Sequence, residues 1–257
     1  MLSPLVFVSH GSPDVALQDG ATLQCWQQLG TTLPRPRAIL LISAHWETPQ
    51  PVISTANQPS TIHDFGGFPQ ALYQMQYPAP GMPELAERVT QCLAVNGIPL
   101  TQNAQRGLDH GAWIPLRSLY PQADVPVVQL AIQPVAGTAW HWRLGQALQP
   151  LREEGILIMA SGAVTHNFGW LARQGAPVPQ AQVFSDWLGE KLAARDVPAL
   201  LDYRQQAPYG AAAHPTEEHL LPLFVTLGAS DADETLTRYT PEYCYGGLAM
   251  DAYVWGA

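Results

Sequence analysis

The chain has 257 residues, of which 47% are hydrophobic and 13% are charged, and its formal net charge is −9 at pH 7. This length and apolar content predict one large core in a single domain that spans residues 1–257. The 12 Lys and Arg residues form no basic run that could follow a phosphate backbone, which argues against nucleic acid as a partner.

The apolar pattern predicts strands and helices that largely alternate along the chain. In order, we expect a strand at 4–9, a helix at 21–33, strands at 38–43 and 52–54, a helix at 83–96, a short helix at 113–119, a strand at 125–132, a helix at 138–151, a strand at 156–160, and helices at 181–194 and 217–227. This order predicts an α/β fold with a mostly parallel central sheet flanked by helices. The segments 38–42 and 156–160 are continuously apolar, which is typical of central strands buried on both faces.

Two further patterns bear on location and redox chemistry. The apolar runs are far shorter than the roughly 20 residues that cross a bilayer, and the first residues lack the basic and apolar regions of a signal peptide. We therefore expect a cytoplasmic protein that does not enter a membrane. The three cysteines, Cys25, Cys92 and Cys244, are widely spaced, which argues against a disulfide framework and against a thiolate zinc site.

Histidines follow three of the predicted strands. His10, His45 and His166 each come shortly after an apolar run. In open α/β sheets, ligands gather beyond the carboxyl ends of parallel strands, so these side chains are expected to meet in space. Neutral imidazole is the commonest protein ligand for transition metals. The sequence thus predicts a metal site at the strand C-terminal ends.

The third ligand is expected from the predicted helix at 217–227. Consecutive helical residues point about 100° apart, so Glu218 and His219 cannot both face one metal ion. His219 borders the apolar side of this helix, whereas Glu218 is expected to face solvent. We therefore take His219 as the ligand. Glu218 remains the alternative, because two histidines and one carboxylate form a known Fe(II) site.

The remaining candidates surround this centre. His166 is expected either as a fourth ligand, which would tend to close the site, or as an acid/base group. His110 follows Asp109 directly, which suits an imidazole that binds a phenol or moves protons. The long irregular segment at 57–82 is either a surface loop or a lid, and as a lid it would bring His63 and Phe65 against a flat substrate.

Taken in chain order, several short motifs form a recognisable set. They are Ser9-His10-Gly11-Ser12-Pro13, Ser43-Ala44-His45-Trp46, Ile62-His63-Asp64-Phe65-Gly66-Gly67-Phe68-Pro69, Asp109-His110-Gly111, Ser161-Gly162 with Thr165-His166-Asn167, and His214-Pro215 with Glu218-His219-Leu220. With this set the chain resembles the 4,5-DOPA extradiol dioxygenase family, within the class III extradiol ring-cleavage dioxygenases related to the catalytic subunit of protocatechuate 4,5-dioxygenase. The resemblance runs from Leu5 to Gly247.

The resemblance implies an enzyme that opens a catechol such as L-DOPA at the 4,5 bond with O2 and one divalent non-haem metal. The metal would be Fe(II) for catalysis, with Zn(II) as the metal present in some isolated bacterial members. By the same resemblance His10, His45 and His219 are the metal ligands, His166 is the acid/base group and His110 is a substrate-pocket residue. The wider class has Glu where this chain has His219.

Two other functions fit the same residues. An all-histidine site suits zinc, so a hydrolase that uses a metal-activated water is the main alternative. A structural or binding protein that holds a metal is the second. For the dioxygenase, we expect a small aromatic diol and O2 as the partners. We expect the protein to be a monomer or a small homo-oligomer.

Overall fold

Eight strands form one sheet in this computed structural model, which describes residues 2–172 and 176–256. The strands are β1 (Leu5–Ser9), β2 (Ala38–Glu47), β3 (Val52–Ser54), β4 (Thr101–Asn103), β5 (Val127–Ile132), β6 (Ile156–Gly162), β7 (Leu236–Tyr239) and β10 (Ala252–Trp255), with a separate hairpin of β8 (Tyr243–Cys244) and β9 (Leu248–Ala249). Their order across the sheet is β4-β3-β5-β2-β6-β1-β10-β7. The four central strands, β5, β2, β6 and β1, run parallel, as expected.

The central strands are mostly apolar because both faces of the sheet are covered. Along β2, Ala38, Leu40 and Ile42 pack into one core cluster. Ile39 and Leu41 point to the other face and pack into a second cluster. Continuous apolar runs therefore predicted the most buried strands correctly.

Helices form a layer on each face. The elements are α1 (Ala21–Thr32), α2 (Gln70–Gln74), α3 (Pro83–Val95), α4 (His110–Leu119), α5 (Gly137–Leu148), α6 (Pro179–Ala193), α7 (Val197–Leu201), α8 (Tyr203–Gln206), α9 (Gly210–Ala213) and α10 (Leu221–Ala229). α1 and α4 pack together over one face, while α3, α5, α6 and α10 contribute to the core on the other. Among the residues described, no helix is both long and apolar enough to cross a membrane.

The predicted helix at 217–227 was wrong at its start, because the helix begins only at Leu221. Pro222 occupies the first helical turn, where its missing N–H and fixed φ are tolerated. Pro222 therefore does not kink the helix. Residues 217–220 form a turn, so the expected angular separation of Glu218 and His219 around a helix does not apply.

The sheet extends further than the sequence indicated. β10 pairs antiparallel with β1, and β7 pairs antiparallel with β10, although no strand was predicted after residue 160. β2 also runs past the predicted end at residue 43, so that His45 lies within the strand beyond a register shift. α4 begins at His110 instead of at residue 113, with Asp109 as its N-cap.

Candidate metal centre

Five histidine side chains converge at the carboxyl ends of the parallel strands. They are His10 after β1, His45 in β2, His110 at the first position of α4, His166 after β6, and His219 in the turn before α10. The ring of His45 lies 4.9 Å from that of His10 and 4.9 Å from that of His219, measured between centroids. All the histidines that the sequence predicted for the metal centre and its acid/base chemistry are thus brought together.

The ring nitrogens of this cluster fall into two groups that could hold a metal ion. Ligand atoms of His10, His45 and His110 lie within 4.8 Å of one another, and so do those of His166, Glu218 and His219. His10 and His219 connect the two groups, with ring centroids 5.4 Å apart.

The tautomer of His10 is set by a chain of hydrogen bonds that starts at a proline. Pro115 in α4 has no N–H to donate to the Gly111 carbonyl four residues earlier. The Ser161 hydroxyl donates to that carbonyl instead. Because its single proton is used there, Ser161 Oγ accepts the Nδ1–H of His10 at 2.9 Å. Nε2 of His10 is left unprotonated.

The spacing of the first two histidines fits a shared metal ion. Nε2 of His10 lies 3.0 Å from Nε2 of His45. Two nitrogens that are each about 2.1 Å from one metal ion and about 90° apart are separated by about 3.0 Å. The donor set, neutral imidazole nitrogens in a buried pocket, suits Fe(II) and Zn(II) alike.

Glu218 orients His219. The sequence suggested that Glu218 faces solvent, but its side chain is largely buried. Its Oε1 atom accepts the Nδ1–H of His219 at 2.9 Å and lies 3.9 Å from Nδ1 of His166. A carboxylate that holds one imidazole nitrogen directs the other nitrogen toward a metal ion. The rings of His166 and His219 stack in parallel, 3.4 Å between centroids.

His110 contacts a carboxylate other than the one beside it in sequence. Asp109 does not hydrogen bond to the His110 side chain. Its carboxylate caps α4 by accepting the Ala112 N–H, and it also accepts hydrogen bonds from the side chains of Ser43, Arg106 and Gln129. Asp64, from the 57–82 segment, instead accepts both the backbone N–H of His110 at 2.9 Å and its Nδ1–H at 3.0 Å.

Burial keeps the metal-binding candidates neutral. It lowers the pKa of His10 and of His219 well below the usual value, helped by the neighbouring histidines. Burial also lowers the pKa of His45 to about 4 and lowers the pKa of His166. For Asp64, burial alone would raise the pKa, but the hydrogen bonds from His110 outweigh it and bring the pKa to about 2. The centre therefore pairs neutral imidazoles with an ionised carboxylate at neutral pH.

A cavity of about 510 Å³ opens onto the histidine cluster. Its walls include His45, His110, His166 and His219 and the aromatic side chains of Phe65, Phe68, Phe168 and Tyr245. Phe65 lies on the wall, as the interpretation of the loop as a lid required. His63 does not line the cavity. It packs edge-on behind Phe65, and Nε2 lies 2.9 Å from the Met75 carbonyl oxygen.

Several supporting contacts were not anticipated from the sequence. Asp64 and Ser161 belong to the motifs that carry the resemblance, but their hydrogen bonds to His110 and His10 join residues far apart along the chain. The contact of Tyr245 with Asp14 is also distant in sequence, so no local pattern predicted these pairings. His141 and His214 lie outside the cavity wall, and each forms hydrogen bonds with backbone groups.

Comparison with known proteins gives a consistent result. Residues 4–253 match the family described as the catalytic LigB subunit of aromatic ring-opening dioxygenase. The chain is 42% identical over 252 residues to "4,5-DOPA dioxygenase extradiol" of Escherichia coli (strain K12), covering 96% of this chain and 92% of that protein. It is 43% identical over 230 residues to the protein of the same name from Beta vulgaris, covering 87% and 85%.

A solved structure shows the same fold. The crystal structure of an uncharacterized protein from Escherichia coli K12 superposes with a TM-score of 0.84 at 36% sequence identity, covering 99% of this chain and 100% of that one. The family match covers almost the whole chain, including all five clustered histidines. The chain therefore belongs to the LigB family of aromatic ring-opening dioxygenases.

Proposed function

We propose that this protein is an extradiol dioxygenase that opens a catechol such as L-DOPA at the 4,5 bond, using O2 and one divalent non-haem metal. The observation that carries the proposal is the convergence of His10, His45 and His219 beside an aromatic-walled cavity. Relatives named 4,5-DOPA dioxygenase extradiol support this choice of substrate.

His10, His45 and His219 are the proposed metal ligands. Ser161 holds Nδ1 of His10 and Glu218 holds Nδ1 of His219, which leaves the Nε2 atoms of both available. Three protein ligands leave positions open for substrate, so we assign His166 to acid/base chemistry, with a role as fourth ligand as the alternative. We propose Fe(II) as the catalytic metal and Zn(II) as one that the same nitrogens would accept. The bound metal would supply Lewis acidity toward the catechol oxygens, and Fe(II), unlike Zn(II), would also supply the redox chemistry that reaction with dioxygen needs.

The cavity residues have separate proposed tasks. Phe65, Phe68 and Phe168 form apolar walls that exclude water and suit the flat face of an aromatic ring. His110 lies on the wall with Nδ1 occupied by Asp64, so Nε2 is the nitrogen that would take a proton from a catechol hydroxyl. His166 stacks on His219 at the cavity wall and would pass a proton taken from the second catechol hydroxyl to the opening ring.

The test is reconstitution of metal-stripped protein under anaerobic conditions with Fe(II) or with Zn(II), followed by L-DOPA in air. We expect oxygen uptake and a yellow product with iron and neither with zinc. His10→Gln should abolish uptake and metal retention, whereas the matched variant His141→Gln, in a buried helix position outside the cavity, should keep both.

Other outcomes would point elsewhere. No uptake with either metal, for L-DOPA and for simple catechols, would overturn the assignment as a dioxygenase. Cleavage of an ester or amide by the zinc form without oxygen would favour the hydrolase alternative. Full metal content and activity in His10→Gln would overturn the proposed ligand set.

A further inference from the structure

Asp64 makes an unusual pair of contacts with one residue. A single oxygen, Oδ1, accepts both the backbone N–H and the Nδ1–H of His110. The other oxygen, Oδ2, lies 3.8 Å from Nδ1 of His45. Asp64 therefore joins the 57–82 segment to the first turn of α4 and to the histidine cluster.

These contacts dictate the state of the His110 ring. An ionised carboxylate only accepts hydrogen bonds, so the nitrogen that faces it must carry the proton. Neutral His110 is then the Nδ1–H tautomer, and its Nε2 has a free lone pair. Because His110 lines the cavity, Nε2 is the ring nitrogen available to a ligand there.

The location also favours a negative charge. Asp64 lies at the amino end of α4, where the helix dipole and the exposed N–H groups stabilise an anion. Its side chain is only 25% exposed, so water screens the interaction with His110 weakly. The carboxylate is therefore a fixed, partly buried acceptor for the Nδ1–H of His110.

We propose that Asp64 is a positioning residue that holds His110 as the Nδ1–H tautomer, so that the lone pair of Nε2 is presented to a substrate hydroxyl in the cavity. The hydroxyl donates its hydrogen bond to Nε2, while Nδ1 keeps its own proton against Asp64. This inference rests on the proposed function for the identity of the hydroxyl, but the tautomer itself does not depend on it.

The arrangement allows charge and hydrogen bonding to be separated. Both donors of His110 point at the same oxygen, so in Asp64→Asn the amide carbonyl oxygen is the atom that stays toward them. Asp64→Asn therefore keeps the tautomer and loses the charge. Asp64→Ala loses both.

The experiment combines a structural and a kinetic measurement. The ring nitrogens of His110 are observed by proton–nitrogen NMR in metal-free protein labelled with 15N-histidine, with His110→Gln for assignment. We expect the Nδ1–H tautomer in wild type and in Asp64→Asn, and a mixture of tautomers in Asp64→Ala. With iron and catechol, kcat should fall about tenfold in Asp64→Asn and about a hundredfold or more in Asp64→Ala, with KM little changed.

The exposed position Asp233→Asn is the matched control and should alter neither measurement. An Nε2–H tautomer of His110 in wild type would overturn the proposal, as would equal kcat values for wild type and Asp64→Ala. Loss of metal content in Asp64→Asn would also overturn it, because His110 would then be acting as a ligand. If no catechol is turned over, the proposed function fails, while the NMR measurement still decides the tautomer.

Discussion

At the scale of single residues, the centre depends on neighbours that fix the proton of each imidazole. Ser161, Glu218 and Asp64 each accept the Nδ1–H of one histidine, His10, His219 and His110 respectively, and so fix its tautomer. The sequence identified the histidines because strand ends are visible in an apolar pattern. It could not assign Ser161 or Asp64 to the histidines they contact, because these partners lie 151 and 46 residues away. Asp109 was misleading, because adjacency to His110 in sequence places its side chain in the helix cap.

Ser161→Ala tests this level of organisation. The variant removes the acceptor of the His10 Nδ1–H, so the ring loses its fixed orientation and tautomer. We expect metal affinity to fall on the order of 10- to 100-fold, measured by competition with a chelator. Ser118→Ala, in the last turn of α4 and on the wall of a different cavity, is the control and should bind metal as wild type does. Unchanged affinity in Ser161→Ala would show that His10 is held by other contacts.

At the scale of elements, the sequence predicted the parallel strands of the sheet centre and missed the buried antiparallel strand β10. β1, β2, β5 and β6 are mostly apolar, so they were found with small errors at their ends. β7 is partly exposed and reads Leu-Thr-Arg-Tyr, which carries no clear strand signal. The turn at 217–220 was assigned to a helix because Pro215 resembled a helix start, yet it is Pro222 that lies in the first turn of α10.

Gly162, at the end of β6, lets the backbone of this strand approach the turn at 217–220 closely. A Cβ atom at Gly162 would lie 2.0 Å from the carbonyl oxygen of His219, which itself accepts the Ala163 N–H. Gly162→Ala must therefore displace the turn that carries His219. We expect a loss of about 3 kcal/mol in the free energy of unfolding, measured with urea. Gly66→Ala has open space around it and should change this value by less than about 0.5 kcal/mol.

At the scale of the whole molecule, buried neutral histidines make stability depend on pH. His141 shows this away from the metal centre, because its Nδ1–H donates to the Gly137 carbonyl and its Nε2 accepts the Gln133 N–H. Burial lowers its pKa to about 4. Since the unfolded chain has a pKa of about 6.5 at this residue, the unfolded state binds the proton first as the pH falls.

The stability that neutral His141 provides is therefore complete above about pH 6.5 and is lost as the pH falls toward 4. Between pH 7 and pH 5 the loss at this one residue is about 2 kcal/mol. Glutamine does not titrate, so metal-free His141→Gln should lose about 2 kcal/mol less stability than metal-free wild type between pH 7 and pH 5. Urea unfolding at several pH values measures the difference, and parallel curves for the two proteins would contradict it.

The proposed ligands are drawn from nearly the full length of the chain, from His10 just after the first strand to His219 just before α10. While a ribosome synthesises this protein, His10 and His45 emerge long before their partner exists. Two imidazoles on an unfinished sheet hold a divalent ion weakly, because much of a metal site's affinity comes from the fold that assembles it. Metal loading is thus expected to follow synthesis, so the supply of the divalent metal would determine how much finished protein becomes active.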